Sequence, residues 1–391
     1  MTGKRKSVES GKKLKIAMIG QKYCPSRCGG VEVVVTELSV RLVQLGHEVT
    51  CINRKQKKGT DETTGFNYGI KSFMGIKLKQ APTINIRGFA AVSSSISAAF
   101  MAAFGKYDVV HFHAEGPAFM CFLPKLFGKR VVVTVHGLDH MRSKWGSLAS
   151  TYIKWGEKNA VRFADEIIVL SRNEQNYFAS AYGRKTVFIP NGTAKPAAGL
   201  PDAPADEFLP EKDSYFLFVG RLVPEKGLKY LIEAFKGLDT DKKLVIAGES
   251  SDTDKFVRKL KKMSEGDERI VFTGFVRGQT LEKLYSNAFA YVLPSDVEGM
   301  PLSLLEAMSC GCCCIVSSIE EMREVVEDHA LVFEKGNAAS LKNEMNRLLK
   351  DVSLQQKYKK EASEFICARY SWDDTAARTA RIYAGERASD A

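Results

Sequence analysis

Two carboxylates, Glu298 and Glu306, stand on either side of a proline in EGMPLSLLEAM (298–308). Pro301 suits the first position of a helix, where its missing N–H costs nothing. Gly299 lets backbone approach a ligand closely. The backbone from Met300 through Leu302 to Ser303 then forms a helix start that favours anions. Glu298, just before that start, can accept hydrogen bonds from paired sugar hydroxyls, and Glu306, more than a turn inside, from those of a ribose. The layout suits a diphosphate carrying a sugar at each end. A plain charged helix with an acidic N-terminus fits the same residues.

GRLVPEKG adds Arg221 and Lys226 after the apolar run FLFV. Two cations in a loop at a strand end can neutralise a diphosphate, and the charge on a leaving group, without a metal. Solvated loop charge is the competing reading. Gly29-Gly30 would let backbone approach the same phosphates, although a glycine pair also marks an ordinary turn. His136 ends RVVVTV and His113 ends DVVHFH, both at positions where a parallel strand delivers a side chain to a ligand. Either also fits a structural histidine, and His140 reads as loop. Asp252-Thr253-Asp254 opens a Lys-rich helix and reads as a cap rather than a metal site. Cys24 and Cys28 have no second pair at zinc spacing. No Walker A loop, GxSxG or HExxH is present, which excludes the commoner signatures of nucleotide hydrolases, serine hydrolases and zinc proteases.

These residues need rigid elements to hold them. LKIAMIG, a loop with Gly29-Gly30, the helical VEVVVTELSVRLVQLG and HEVTCINR spell strand, loop, helix, strand. SYFLFVG, RLVPEKG, LKYLIEAFKGL and KKLVIAG repeat the plan. Further short apolar strands follow in each half, so the expected fold is α/β, two doubly wound parallel-sheet domains facing across a cleft. The expected division is 1–200, 201–370 and a C-terminal helix, 371–391, returning toward the N-terminal domain. The proline-bearing stretch 192–213 serves as the linker.

Composition sets the outer bounds. The 391 residues are 45% hydrophobic and 26% charged, which excludes a mainly disordered chain and suits two cores. Residues 1–200 hold 30 basic against 13 acidic side chains, +17, whereas the remainder holds 27 against 33, −6. The basic half therefore expects an anionic neighbour. Nine cysteines without framework spacing indicate a reducing, cytoplasmic setting, and Cys312-Cys313-Cys314 reads as a buried strand. No apolar signal-peptide segment follows the basic start. The uncharged run 88–105 is too rich in Ala and Ser for a spanning helix and reads as a buried or docking helix. Lys12, Lys13, Lys15, the run 54–59 and KLFGKR (125–130) could meet anionic lipid, as a peripheral protein on the inner face of the cell membrane would.

Taken together, GGVEVVVTELSVRLVQLGHEVT, FIPNG, VGRLVPEKG, LVIAGE, FTGFV and EGMPLSLLEAM resemble the retaining family 4 glycosyltransferases of the GT-B fold, of the bacterial polysaccharide-assembly type. The resemblance covers nearly the whole chain. It implies that Arg221 and Lys226 hold the donor diphosphate, with Gly29 and Gly30 against it. Glu298 would contact donor-sugar hydroxyls, Gly299, Met300, Pro301 and Leu302 would offer backbone, and Glu306 would bind ribose. Phe275 and Val276 would flank the base, and His136 would sit beside the reacting sugar. It implies a hexosyl transfer from a nucleotide-diphosphate sugar, most often a UDP-sugar, to a saccharide or polyprenyl-diphosphate-linked acceptor, with no divalent metal or other cofactor. Ser250 stands where relatives often carry glycine, so no contact is assigned there. The same architecture serves nucleotide-sugar epimerases and phosphorylases. A basic protein binding an anionic membrane or nucleic acid would explain the charge, but no basic-aromatic RNA-binding pattern is present.

Overall fold

In both halves of the chain, runs of β-branched and aromatic residues become parallel strands. The computed structural model describes residues 12–56, 69–86, 88–141, 147–196, 210–251 and 253–386. The chain divides into two units, one running to Asn191 and resuming at Trp372, the other spanning Gly192–Ser371.

The first unit carries β1 (Lys15–Ile19), β2 (Glu48–Arg54), β3 (Ser72–Phe73), β4 (Ile76–Ala81), β5 (Val109–His113), β6 (Arg130–Thr134), β7 (Glu166–Val169) and β8 (Val187–Phe188). They lie in the order β3-β4-β2-β1-β5-β6-β7-β8, parallel except for the β3–β4 hairpin. Sequence periodicity misses β4: IKLKQA alternates lysines with apolar residues at the sheet's margin, without the continuous apolar run of a buried strand. On β1 successive side chains enter opposite cores. Ile16 and Met18 join Val35, Leu38, Leu42, Ile382 and Tyr383 on one face. Ala17 and Ile19 join Ala98, Ala99 and Ala102 on the other.

Helix Ala90–Ala103 explains its own composition. Alanines and Ser94 and Ser95 form its buried face, and the serine hydroxyls donate to Ala91 O at 3.0 and 2.7 Å, so no polar atom is stranded. Helix Trp372–Ala384 closes the opposite face of this unit. Tyr383 Oη lies 2.6 Å from His111 Nδ1, and Arg130 Nε donates to Ile382 O at 2.9 Å. Among the described residues, no helix is long and apolar enough to cross a membrane.

The second unit carries β9 (Tyr215–Val219), β10 (Lys243–Ala247), β11 (Ile270–Gly274), β12 (Ala290–Leu293), β13 (Cys314–Ser317) and β14 (Leu331–Phe333). All are parallel, in the order β11-β10-β9-β12-β13-β14. The order reverses between β9 and β12, and ligands of such sheets bind beyond the strand C-termini at that reversal. Cys312, Cys313 and Cys314 are free and buried in this core, their thiols pushed up by burial.

Candidate active site

The loops after β9 and β12 hold Arg221, Lys226 and Glu298. Beyond β9, buried Leu222 and Val223 anchor the loop, and a 3-10 turn, Pro224–Lys226, presents Lys226. Gly227 then takes φ +68° and starts helix Leu228–Lys236. A Cβ on Gly227 would stand 1.9 Å from Pro294 O, so this close crossing of the two loops requires glycine.

Lys226 Nζ reaches Glu298 Oε1 at 2.5 Å, with 11% and 7% of the two side chains exposed. Ser295 Oγ donates to the same carboxylate oxygen at 2.6 Å. Its backbone is tied in turn, since Ser317 Oγ donates to Ser295 O. A cation and a hydroxyl thus help to fix the carboxylate in a nearly buried position. Arg221 is half-buried at the end of β9 and has no ion-pair partner among the described residues. Glu225, beside Lys226, is 4% exposed, and neither carboxylate oxygen has a hydrogen-bond partner among the described residues.

Helix Leu302–Ser309 begins one residue later than its sequence suggests. Pro301 is the capping residue, with φ −75° and ψ 111°, instead of the first helical one. Proline is tolerated there for the same reason, because that N–H has no intrahelical acceptor. Pro301 O accepts from Leu304 N and Leu305 N at 3.1 and 3.3 Å, leaving the amides of Leu302 and Ser303 without an acceptor among the described residues. Two tyrosines brace this helix. Tyr291 Oη lies 2.8 Å from Ser303 Oγ, and Tyr285 Oη lies 3.4 Å from Glu306 Oε2. Burial pushes both phenols well up, so they serve as neutral hydrogen-bonding groups. Phe275 and Val276 follow β11, half-buried, and Gly299 and Met300 are buried.

In the first unit Gly29 caps helix Gly30–Gln44, and a Cβ on Gly30 would meet nothing within 4 Å. His136 follows β6, and its Nε2 lies 3.1 Å from His113 Nδ1. His113 is fully buried and its Nε2 has no hydrogen-bond partner among the described residues. Across the contact between His113 and His136 one ring donates and the other accepts, according to their tautomers. His111 bonds Tyr383 Oη and, at 2.7 Å, Thr134 Oγ1. Burial, then the neighbouring His136, pushes His111 down to about 3; burial and both other histidines hold His113 well below its usual value. His140 lies in a 3-10 turn, Asp139–Met141, instead of irregular loop. Its Nδ1 is 3.1 Å from Glu157 Oε2, near buried Glu115. Burial raises Glu157, yet bonds from His140, Tyr182, Lys154 and Tyr177 hold it at about 2. The Lys154 ammonium, 2.9 Å from Glu157 Oε1, balances the carboxylate of this network.

Residues 28–194 match the family model described as Glycosyltransferase Family 4, and residues 201–365 match Glycosyl transferases group 1. The chain belongs to this family of glycosyltransferases. An uncharacterised glycosyltransferase of Methanocaldococcus jannaschii is 27% identical over 95% of this chain and 98% of its own. Alpha-maltose-1-phosphate synthase of Mycobacterium tuberculosis is 25% identical over 95% and 99%. Among solved structures, sucrose-phosphate synthase of Thermosynechococcus elongatus overlays with TM-score 0.77 at 21% identity, covering 95% of this chain and 98% of that one. Anabaena HepE in complex with UDP-glucose overlays at 0.75 and 17%, covering 95% and 100%. The fold is GT-B.

For this glycosyltransferase the structure joins Lys226 to Glu298 and sets Leu302 and Glu306 on the helix that Pro301 caps. It also places His113 against His136. Sequence reasoning missed Ser295, Tyr285 and Tyr291. The Ser-x-x-Glu spacing of 295–298 was the one signal for Ser295. The tyrosines gave none, because their partners lie 12 and 21 residues away. Thr253 caps helix Asp254–Ser264 without a side-chain bond to it, its hydroxyl donating to Leu222 O at 2.7 Å. Asp252, most of the linker and residues 57–59 lie outside the described residues.

Proposed function

We propose that this glycosyltransferase moves a hexose-type sugar from a nucleotide-diphosphate sugar, a UDP-sugar foremost, to a saccharide or polyprenyl-diphosphate-linked acceptor, with retention and without a divalent metal. The observation that carries the reading is Glu298, fixed by Lys226 and Ser295 immediately before the Pro301 helix start. A carboxylate fixed in this way can accept hydrogen bonds from the hydroxyls of the transferred sugar. Arg221, Lys226 and the amides of Leu302 and Ser303 supply the positive potential that a diphosphate needs, and that a metal supplies elsewhere. Glu306 takes the ribose, Phe275 and Val276 the base. In the first unit, Gly29 and Gly30 offer backbone and His136 a ring.

The bond from the anomeric carbon to the phosphate oxygen breaks, and the diphosphate leaves with its electron pair, stabilised by Arg221 and Lys226. The acceptor hydroxyl bonds to the same face of an oxocarbenium-like sugar, its proton passing to the departing phosphate oxygen. The UDP-glucose complex of HepE supports the choice of uridine.

The test is a thermal-shift series with UDP, GDP, ADP, CDP, dTDP and their common sugars, in the presence of EDTA. A selective shift lost in Glu306→Ala supports the donor reading, whereas no shift with any of them overturns it. Product NMR showing inverted configuration would reject retention, and transfer abolished by EDTA would reject metal independence. His136→Ala should lower transfer while leaving the UDP shift in place.

A further inference from the structure

The first unit leaves an aromatic strip uncovered. Phe100 and Phe104, one turn apart at the end of helix Ala90–Ala103, stack with ring centroids 6.2 Å apart. Phe104 meets Phe127 edge-on at 4.6 Å. These rings are 46%, 66% and 49% exposed, and neighbouring Leu126 is 73% exposed. Phe89, at the other end of the helix, is exposed and shares the stripe formed by positions 89, 93, 97, 100 and 104. The opposite side of the helix is the closely packed Ala/Ser face, so the aromatic side is its outward one.

The strip has a basic rim. Lys106 follows Phe104 by two residues and is exposed; Lys125 precedes Leu126; Lys129 follows Phe127 by two. The nearby acids are engaged: Asp165 pairs with Lys125 at 2.6 Å, and Asp108 accepts from Lys15 N at 2.7 Å. We propose that this face docks on an anionic lipid bilayer, its rings entering the headgroup boundary and Lys106 and Lys129 meeting lipid phosphates. Charge decides the occupant. A second copy of the chain would set one cationic rim against another, whereas an anionic leaflet complements it, as does the +17 balance of residues 1–200. No helix here crosses a membrane among the described residues, so the contact is interfacial. The inference rests on the lipid-linked acceptor reading for its purpose and on this face alone for its existence.

The experiment is vesicle flotation of the full chain, with phosphatidylcholine alone and with added phosphatidylglycerol. Binding should favour the anionic vesicles, weaken with salt, and fall roughly tenfold or more in Phe104→Ser/Phe127→Ser and in Lys106→Glu/Lys129→Glu. All these side chains lie at the surface, and an unchanged thermal transition in each variant confirms its fold. Wild-type protein that ignores anionic vesicles overturns the proposal. So do variants that float like wild type, and so does a dimer in sedimentation that the Phe variants dissociate. Flotation is read without donor, and the UDP shift without vesicles, so each reading fails separately.

Discussion

Lys226 and Glu298 are both close to nine-tenths buried, which separates their structural from their chemical contribution. Lys226→Met strips a buried carboxylate of its cation, and the loss should be about 3 kcal/mol in denaturant unfolding. Pairing it with Glu298→Leu removes the orphaned charge and should restore most of that stability while transfer stays absent. Glu298→Gln keeps an acceptor for Ser295 yet loses the charge, and transfer should fall on the order of a hundredfold. A Glu298→Gln enzyme of normal rate would end the sugar-gripping role of this residue. The acids and cations were legible because each sits at a fixed offset from a strand end. Their pairing was not, since 72 residues separate Lys226 from Glu298 and only the adjacency of β9 and β12 joins them.

At the scale of elements, the parallel strands were legible because burial on both faces leaves near-continuous apolar runs, as in YFLFV and AYVL. The hairpin β3–β4 was not, because it lies at the edge of the sheet and carries lysines. Helix starts were legible only to within a residue, as Pro301 shows. The loop after β9 makes a sharper prediction. Gly227→Ala forces a Cβ against Pro294 O and a non-glycine residue into left-handed backbone. Both effects act on the crossing of the β9 and β12 loops, so the variant should lose at least about 2 kcal/mol in chemical unfolding. UDP affinity should fall with it, since Lys226 precedes this residue directly. A variant with wild-type stability and UDP shift would show that the crossing is not what holds the site.

At the scale of the molecule, the last helix belongs to the first unit and reaches its centre through Tyr383, whose hydroxyl bonds the buried His111. His111 and His113 fold as neutral rings, with pKa values below the ordinary 6.5. Below pH 6.5 the unfolded chain takes up protons that the folded one refuses. Their contribution is therefore complete above 6.5 and is lost as pH falls toward the folded values, by about 1.4 kcal/mol per pH unit for each ring. Glu115 opposes this. Burial, then Asp139, raises its pKa well above 4.5, so its contribution is complete below 4.5 and lost as pH rises. Between 4.5 and 6.5 two histidines thus outweigh one acid, and the unit should melt at lower temperature as pH falls from 7 to 5. Glu115→Gln preserves the acceptor for Asp139 N, which now lies 3.1 Å from Glu115 Oε1, and removes the opposing titration. Thermal unfolding against pH should then be steeper than in the wild type. A Glu115→Gln slope equal to that of the wild type would mean that Glu115 is ionised in the folded protein, with the basic surroundings of Glu157 extending to it.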